Sequence, residues 1–201
     1  GIIENNFYYA FNSIETGADS VVVANGGSVI NAKFKKTAVT AGPFSWTGTV
    51  SENWNEIDEN FSATGASQLA YQNGNGVNFS DANALFKNAL ISTSIDLGAN
   101  PINFDAAGFS IAGLGKLNGT GPVNVNANAK ITAQSNMTGG IFLNKDTLQV
   151  GHLKVTNKYT VKDGTTLNTL TGVGNFSTPI EGTGKFTIIP TENSTYSSTI
   201  K

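Results

Sequence analysis

The sequence predicts an all-β chain of short strands, arranged as a β-solenoid or a β-sandwich, with a short helix near 80–90. Three observations carry the β reading. Val123, Val125, Ala127, Ala129 and Ile131 alternate with Asn124, Asn126, Asn128 and Lys130, the period of two that belongs to a strand with one buried and one wet face. A Gly-x-Gly-x-apolar unit recurs from Gly113, Gly119, Gly172 and Gly182, as expected of stacked short strands. From Ile91 onward, short apolar-alternating runs are divided by Gly, Asn, Asp or Pro.

The opening segment, IIENNFYYAFNSI, sets Phe7, Tyr9 and Phe11 on one face and Tyr8, Ala10 and Asn12 on the other. It reads as the first strand of its own sheet. So aromatic a strand also suits the completion of a neighbouring subunit's sheet, which makes Phe7, Tyr8, Tyr9 and Phe11 candidate assembly residues. SVVVANGGSVINAKF then carries two apolar runs around Asn25, Gly26 and Gly27, a hairpin signal because the turn needs positive φ. Residues 1–50 are therefore expected to be antiparallel or turn-rich β. Lys33, Lys35 and Lys36 form the basic cluster of the chain and fit a solvated strand edge guarded against pairing.

Residues 51–90 differ in texture. ENWNEIDENF gathers Glu52, Glu56, Asp58 and Glu59 around Trp54, Ile57 and Phe61, as a short helix or an acidic loop. QNGNG, from Gln72 to Gly76, reads as a loop tip. Ser80 is placed to cap a helix over DANALFKNAL, with Ala84, Leu85 and Leu90 toward the core and Asp81 in the first turn. The region reads as an insertion or cap. The expected organisation is thus an N-terminal β segment with an irregular acidic insertion over 1–90, and a glycine- and asparagine-rich solenoid-like or sandwich region over 91–201, the two being compatible with one continuous domain. In the second region Asp163-Gly164 favours a local hairpin, whereas the Gly-x-Gly recurrence and the scarcity of charge favour coils. The balance leans to a parallel β-solenoid.

Composition bounds the setting. At 201 residues and 39% hydrophobic the chain can bury a real core, and at 13% charged its surface must be made largely of neutral hydrogen-bonding groups. All 12 basic residues are lysines and the net charge is −2, which weighs against nucleic acid as a partner, since phosphate recognition leans on arginine and a positive field. Cysteine is absent, which shifts the expectation toward a bacterial, archaeal or phage surface protein stabilised by strand stacking. No run of about 18 apolar residues exists to make a transmembrane segment. No signal-peptide pattern opens the chain, so the expectation is a mature product, a fragment, or a protein exported by another route.

GLGKLNGTGPVNV and LTGVGNFSTPIEGTGKFTI resemble the coils of bacterial autotransporter and filamentous-haemagglutinin-type surface proteins, over about half the chain. Phage tail spikes and fibres share the pattern. The resemblance implies export, a rod-like solenoid and a role in adhesion or surface assembly. The chain departs from it in having no recognisable secretion domain, no strict repeat length, and a poor fit over residues 1–90.

Catalytic constellations are thin. A Ser-His-Asp triad would rest on the single histidine, His152, which reads as a solvated side chain between Val150 and Leu153, and no His/Cys cluster offers a zinc site. Glu52, Glu56, Asp58 and Glu59 are candidate calcium ligands or a glycosidase pair, set beside the plainer reading of a solvated acidic loop. Asn60, Asn78, Asn118, Asn136, Asn175 and Asn193 head Asn-x-Ser/Thr triplets and are candidate N-glycosylation sites, although about five such triplets arise by chance at this composition.

The function expected is a structural or adhesive protein, extracellular or on a prokaryotic cell surface or phage virion, without catalysis. Its expected partners are copies of itself, through strand pairing, and surface glycans, with no cofactor beyond calcium. The alternative is a carbohydrate-binding or glycan-active module of a phage fibre or secreted protein, for which Trp46, Trp54, Phe61 and Tyr71 would supply stacking rings.

Overall fold

The computed structural model describes residues 20–25, 28–33, 42–151, 158–169, 178–187 and 200–201, the first two stretches by backbone alone. The chain forms two compact units, Gly1–Ala38 and Val39–Lys201. In the first, β1 (Ser20–Asn25) and β2 (Ser28–Lys33) pair antiparallel with Asn25 opposite Ser28, the hairpin register expected of a two-residue connection.

The second unit is a parallel β-solenoid of about 5 turns. A leading, irregular coil holds β3 (Phe44–Trp46), β4 (Phe61–Ala63) and β5 (Ala66–Leu69). Three complete coils follow: β6 (Val77–Phe79), β7 (Asn88–Leu90) and β8 (Ile95–Asp96); β9 (Ile102–Phe104), β10 (Phe109–Ala112) and β11 (Lys116–Gly119); β12 (Val123–Val125), β13 (Ala129–Ile131) and β14 (Gln134–Met137). The first and second faces then continue through β15 (Ile141–Leu143), β16 (Thr147–Val150), β17 (Tyr159–Val161), β18 (Thr166–Thr169), β19 (Ile180–Gly182) and β20 (Lys185–Thr187). Face one stacks β6, β9, β12, β15, β17 and β19; face two stacks β7, β10, β13, β16, β18 and β20; face three stacks β8, β11 and β14. The sandwich alternative is thereby set aside, because all these rungs pair in parallel with the coil above and below.

Each short strand alternates inward and outward residues, so every coil contributes a layer of apolar side chains to one axial core. Val77, Ile102, Val123, Ile141, Tyr159 and Ile180 stack in one column and are all buried. Size is balanced between coils. The Phe79 and Phe104 rings stack at 4.9 Å and 10°, Phe109 packs on Phe79 at 5.3 Å, and the large Phe109 is followed in its column by the small Ala129. Burying each such large side chain stabilises by about 1.5–3 kcal/mol.

The glycine units from Gly113, Gly119 and Gly182 lie at strand ends and corners, where coil stacks on coil backbone to backbone. A Cβ on Gly113 would run into the Ile91 carbonyl of the coil below, and its φ of +112° is one that L side chains avoid; Gly121 lies as close to the Asn100 carbonyl. The recurrence at these three positions therefore marks strand ends and stacked corners rather than strand interiors, and the unit from Gly172 lies outside the described residues.

Three expectations are corrected. Val123 to Ile131 is not one strand but two, β12 and β13, on different faces, and the inward-outward alternation continues through the bend with Ala127 buried and Asn128 exposed. Asp163-Gly164 does make a turn, with Gly164 at φ +76°, but it joins β17 on face one to β18 on face two instead of closing a hairpin.

The helix expected near 80–90 is absent. Asp81 starts a turn, its Oδ1 accepting from Asn83 N at 2.8 Å and its carbonyl from Ala84 N at 3.1 Å. The backbone beyond then goes elsewhere. Phe86 N donates to Gly48 O, Leu90 N to Glu52 O, and β7 pairs with β10, so rung formation takes the groups a helix needs. Ala84 is buried, while Leu85 is 72% exposed.

Candidate functional site: the capped end and the wet faces

An open solenoid end would expose both an apolar core and unpaired strand edges. The leading coil covers both at the N-terminal end of the solenoid. On face one, β3 pairs parallel with β6 and antiparallel with β4, which pairs with β5 across the Thr64-Gly65 turn. On face two, Asn53 bridges Leu90, with Trp54 N donating to Leu90 O at 2.8 Å. On face three, Gly74 N donates to Asp96 O at 2.7 Å and Asp96 N to Asn73 Oδ1 at 2.9 Å.

Beneath this coil sits an aromatic plug. Trp46, Trp54, Phe61 and Tyr71 are buried to within 1% exposure and meet one another and Phe44 and Phe79 at 5.1–6.1 Å, mostly edge to face. Trp46 Nε1 donates to Phe86 O at 2.8 Å, and the Tyr71 hydroxyl donates to Asn75 O at 2.7 Å, with burial pushing its pKa up. These four rings were the candidate sugar-stacking residues. The structure spends all of them on the core.

The acidic segment runs along the same coil. Ser51 Oγ and Asn53 Nδ2 donate to Asp58 Oδ2 at 2.6 and 2.9 Å and hold its carboxyl below the usual range, while Glu56 Oε1 accepts from Asn73 Nδ2 at 2.6 Å. Glu56 and Glu59 are exposed. Among the described residues no three His, Cys, Asp or Glu side chains converge as a metal-holding group, so the structure does not gather Glu52, Glu56, Asp58 and Glu59 into one ligand set.

The six sequons fall in different environments. Asn60 is wholly buried: its Oδ1 accepts from Val50 N and Ser51 N, both at 3.0 Å, and its Nδ2 donates to Ser51 Oγ at 2.9 Å and Asn53 O at 2.8 Å. Both amide hydrogens are used, which leaves no room for a glycan in the folded chain. Asn78 lies in a hydrogen-bonded amide column; Asn118 and Asn136 are neighbours on face three, with Asn136 exposed. Asn175, Asn193, His152 and the candidate assembly residues Phe7, Tyr8, Tyr9 and Phe11 lie outside the described residues.

The wet faces are built from aligned amides. On face one, Asn103 Nδ2 donates to Asn78 Oδ1 and Asn124 Nδ2 to Asn103 Oδ1, both at 2.7 Å, before the column passes to Phe142 and Thr160. At the next corner Asn126 Nδ2 donates to Asp105 Oδ1 at 2.7 Å and Asn144 Nδ2 to Asn126 Oδ1 at 3.0 Å. The outward column of face two reads Asn88, Ser110, Lys130, Gln149, Asn168 and Thr187. An open groove of about 590 Å³ crosses this face. Ser110, Lys130, Gln149 and Asn168 line it from four successive coils, with Asn128 and Thr147 along the corner.

Sequence reasoning marked Lys130 only as an outward residue of one strand and missed Gln149 and Asn168. Their alternation signals that they face out. Their alignment depends on coil length, which changes from rung to rung: the hydrogen-bonded Asn pairs lie 25, 21 and 18 residues apart.

Among the described residues no helix is long and apolar enough to cross a membrane. Comparison of the chain with protein-family models, with curated proteins and with solved structures gives no match in any of the three.

Proposed function

We propose that this chain is a structural or adhesive element of a prokaryotic cell surface or phage virion, acting without catalysis and associating with copies of itself by strand pairing. The observation that carries the reading is the solenoid itself: about 5 turns of short parallel rungs whose wet faces carry columns of hydrogen-bonded amides with few charges. Such a body holds its shape by repetition and presents long regular faces. The autotransporter-like and haemagglutinin-like resemblance and the lack of cysteine point to the same setting. The assembly half rests on the aromatic segment around Phe7, Tyr9 and Phe11, whose sequence suits a strand added to a neighbour's sheet edge.

Sedimentation velocity on the full chain and on a chain lacking residues 1–13 tests this. The full chain should form ordered oligomers as concentration rises, the truncated chain should stay folded and monomeric, and a peptide of residues 1–13 should cap or rescue assembly. A full chain that remains monomeric at high concentration, or a truncated chain that assembles normally, overturns the strand-pairing reading.

A further inference from the structure

The groove on face two has a chemistry that selects among ligands. It is lined by amides and hydroxyls, with one cation, Lys130, at its middle and no carboxylate among the lining residues. Asn128 Oδ1 accepts from Thr147 N at 3.0 Å, which leaves its Nδ2 to donate outward. Lys130, Gln149 and Asn168 make no side-chain hydrogen bond among the described residues, in contrast to the interlocked Asn columns of face one. Lys87, beside Gly108 at the groove's edge with its Nζ 5.7 Å from the Phe109 ring centre, adds a second positive charge to the same side.

The geometry points to an extended, carboxylate-bearing oligosaccharide as the ligand of this groove, its chain running across the rungs with one carboxylate at Lys130 and its hydroxyls on Ser110, Asn128, Gln149 and Asn168. The rung spacing of about 4.8 Å matches the length of one pyranose, so successive sugars fall in register with successive coils. Four rungs span roughly 14 Å, a length that accommodates three sugars. A single nucleic-acid strand carries a charge every ~3.4 Å, more than one lysine and its neighbour can answer, and the chain's net charge is −2. A peptide adding as a strand would need open backbone groups, and here the backbone of β10, β13, β16 and β18 is already committed to the parallel ladder. Neutral side-chain donors and acceptors around one cation are what a polyol with sparse carboxylates requires.

The proposal rests on the adhesive half of the proposed function and names the surface that would do the adhering. Isothermal titration of the full chain with a hyaluronan tetrasaccharide, whose carboxylates fall on alternate sugars, and with its carboxyl-reduced form as neutral counterpart, tests it. The acidic tetrasaccharide should bind, added NaCl should weaken it, and the reduced form should bind at least about tenfold more weakly, as expected for loss of a charged hydrogen bond. Lys130→Gln should cost the acidic sugar at least about tenfold while Lys130→Arg retains it. Phe142→Ala, on face one, should change nothing, and circular dichroism should show each variant folded. Equal binding of the two sugars, no binding of the acidic tetrasaccharide, an unaffected Lys130→Gln, or a Phe142→Ala loss as large as that of Lys130→Gln would each overturn the site. Failure here with self-association intact removes the groove alone, whereas loss of self-association with acidic-sugar binding intact removes the assembly reading alone.

Discussion

Replacing Asn60 by alanine probes the capped end directly. Its side chain ties Val50, Ser51 and Asn53 together through four hydrogen bonds of 2.8–3.0 Å from a fully buried position, and Asn60 O accepts from Thr47 N and Gly48 N behind it. Alanine keeps the backbone acceptor and removes all four side-chain bonds. Ser51 Oγ still accepts from Asn53 N and donates to Asp58, and the exposed Val50 N–H can turn to water, so two of the losses are partly offset. The Ser51 N–H and the Asn53 carbonyl carry more of the cost. At about 0.5–1.5 kcal/mol per bond, and more where a buried group is left unpaired, the loss should be about 2–4 kcal/mol. Urea unfolding reads this twice over, because both tryptophans, Trp46 and Trp54, sit in the plug while far-ultraviolet circular dichroism reports the strands of all the coils. The fluorescence midpoint should fall first and separate from the dichroism midpoint, since stacked coils interact mainly with their neighbours. Asn60→Asp keeps the two accepted bonds but buries a charge, so it should be milder below about pH 4 than at neutral pH. An Asn60→Ala chain that loses less than about 1 kcal/mol, with the two probes still coincident, would refute the assignment of these bonds to the cap's stability.

Gly121→Ala places a Cβ against the Asn100 carbonyl and should cost about 1–3 kcal/mol or more, whereas Gly164→Ala, with φ +76° but nothing within 4 Å of the added carbon, should cost only about 1 kcal/mol of backbone strain; thermal melts that rank them the other way would contradict stacked corners. Asn103→Val breaks two column hydrogen bonds on a wet face and should lower stability by about 1–2 kcal/mol, checked by chemical denaturation against Asn136→Val, where no such column bond is lost. Asp58, whose folded pKa is depressed by the bonds from Ser51 and Asn53, stabilises above its ordinary value of 3.8, and that stabilisation is lost as pH falls through the folded value. The melting temperature of wild type relative to Asp58→Asn should therefore fall between neutral pH and pH ~2, and a difference that does not change with pH would show the pair to be energetically silent. Far-ultraviolet circular dichroism of the whole chain should be strand-dominated, and a helix content above about a quarter would contradict the all-β architecture.

Much of this fold was legible along the chain because a rung is a local object. The alternation of Val123, Val125, Ala129 and Ile131 with Asn124 and Lys130 states which side of the backbone is dry, and the structure buries those four apolar residues. Likewise ANGGS states a hairpin, and β1 and β2 pair about it. Other features were misread for one physical reason: a solenoid corner leaves the inward-outward period unbroken, so two strands on different faces look like one. Asp81 carried a true turn signal, but whether a turn grows into a helix depends on what else claims the next backbone groups, and Gly48, Glu52 and β10 claim them here. The fate of Trp54 and Tyr71 was equally undecided locally, since an aromatic ring stacks on a sugar or on Phe61 with the same chemistry. What the sequence determined by itself was an all-β chain of short, half-wet strands divided by Gly, Asn, Asp or Pro. The tertiary structure alone decided which residues share a column, because coil length varies from rung to rung; only that stacking sets Ser110, Lys130, Gln149 and Asn168 side by side as one polar groove.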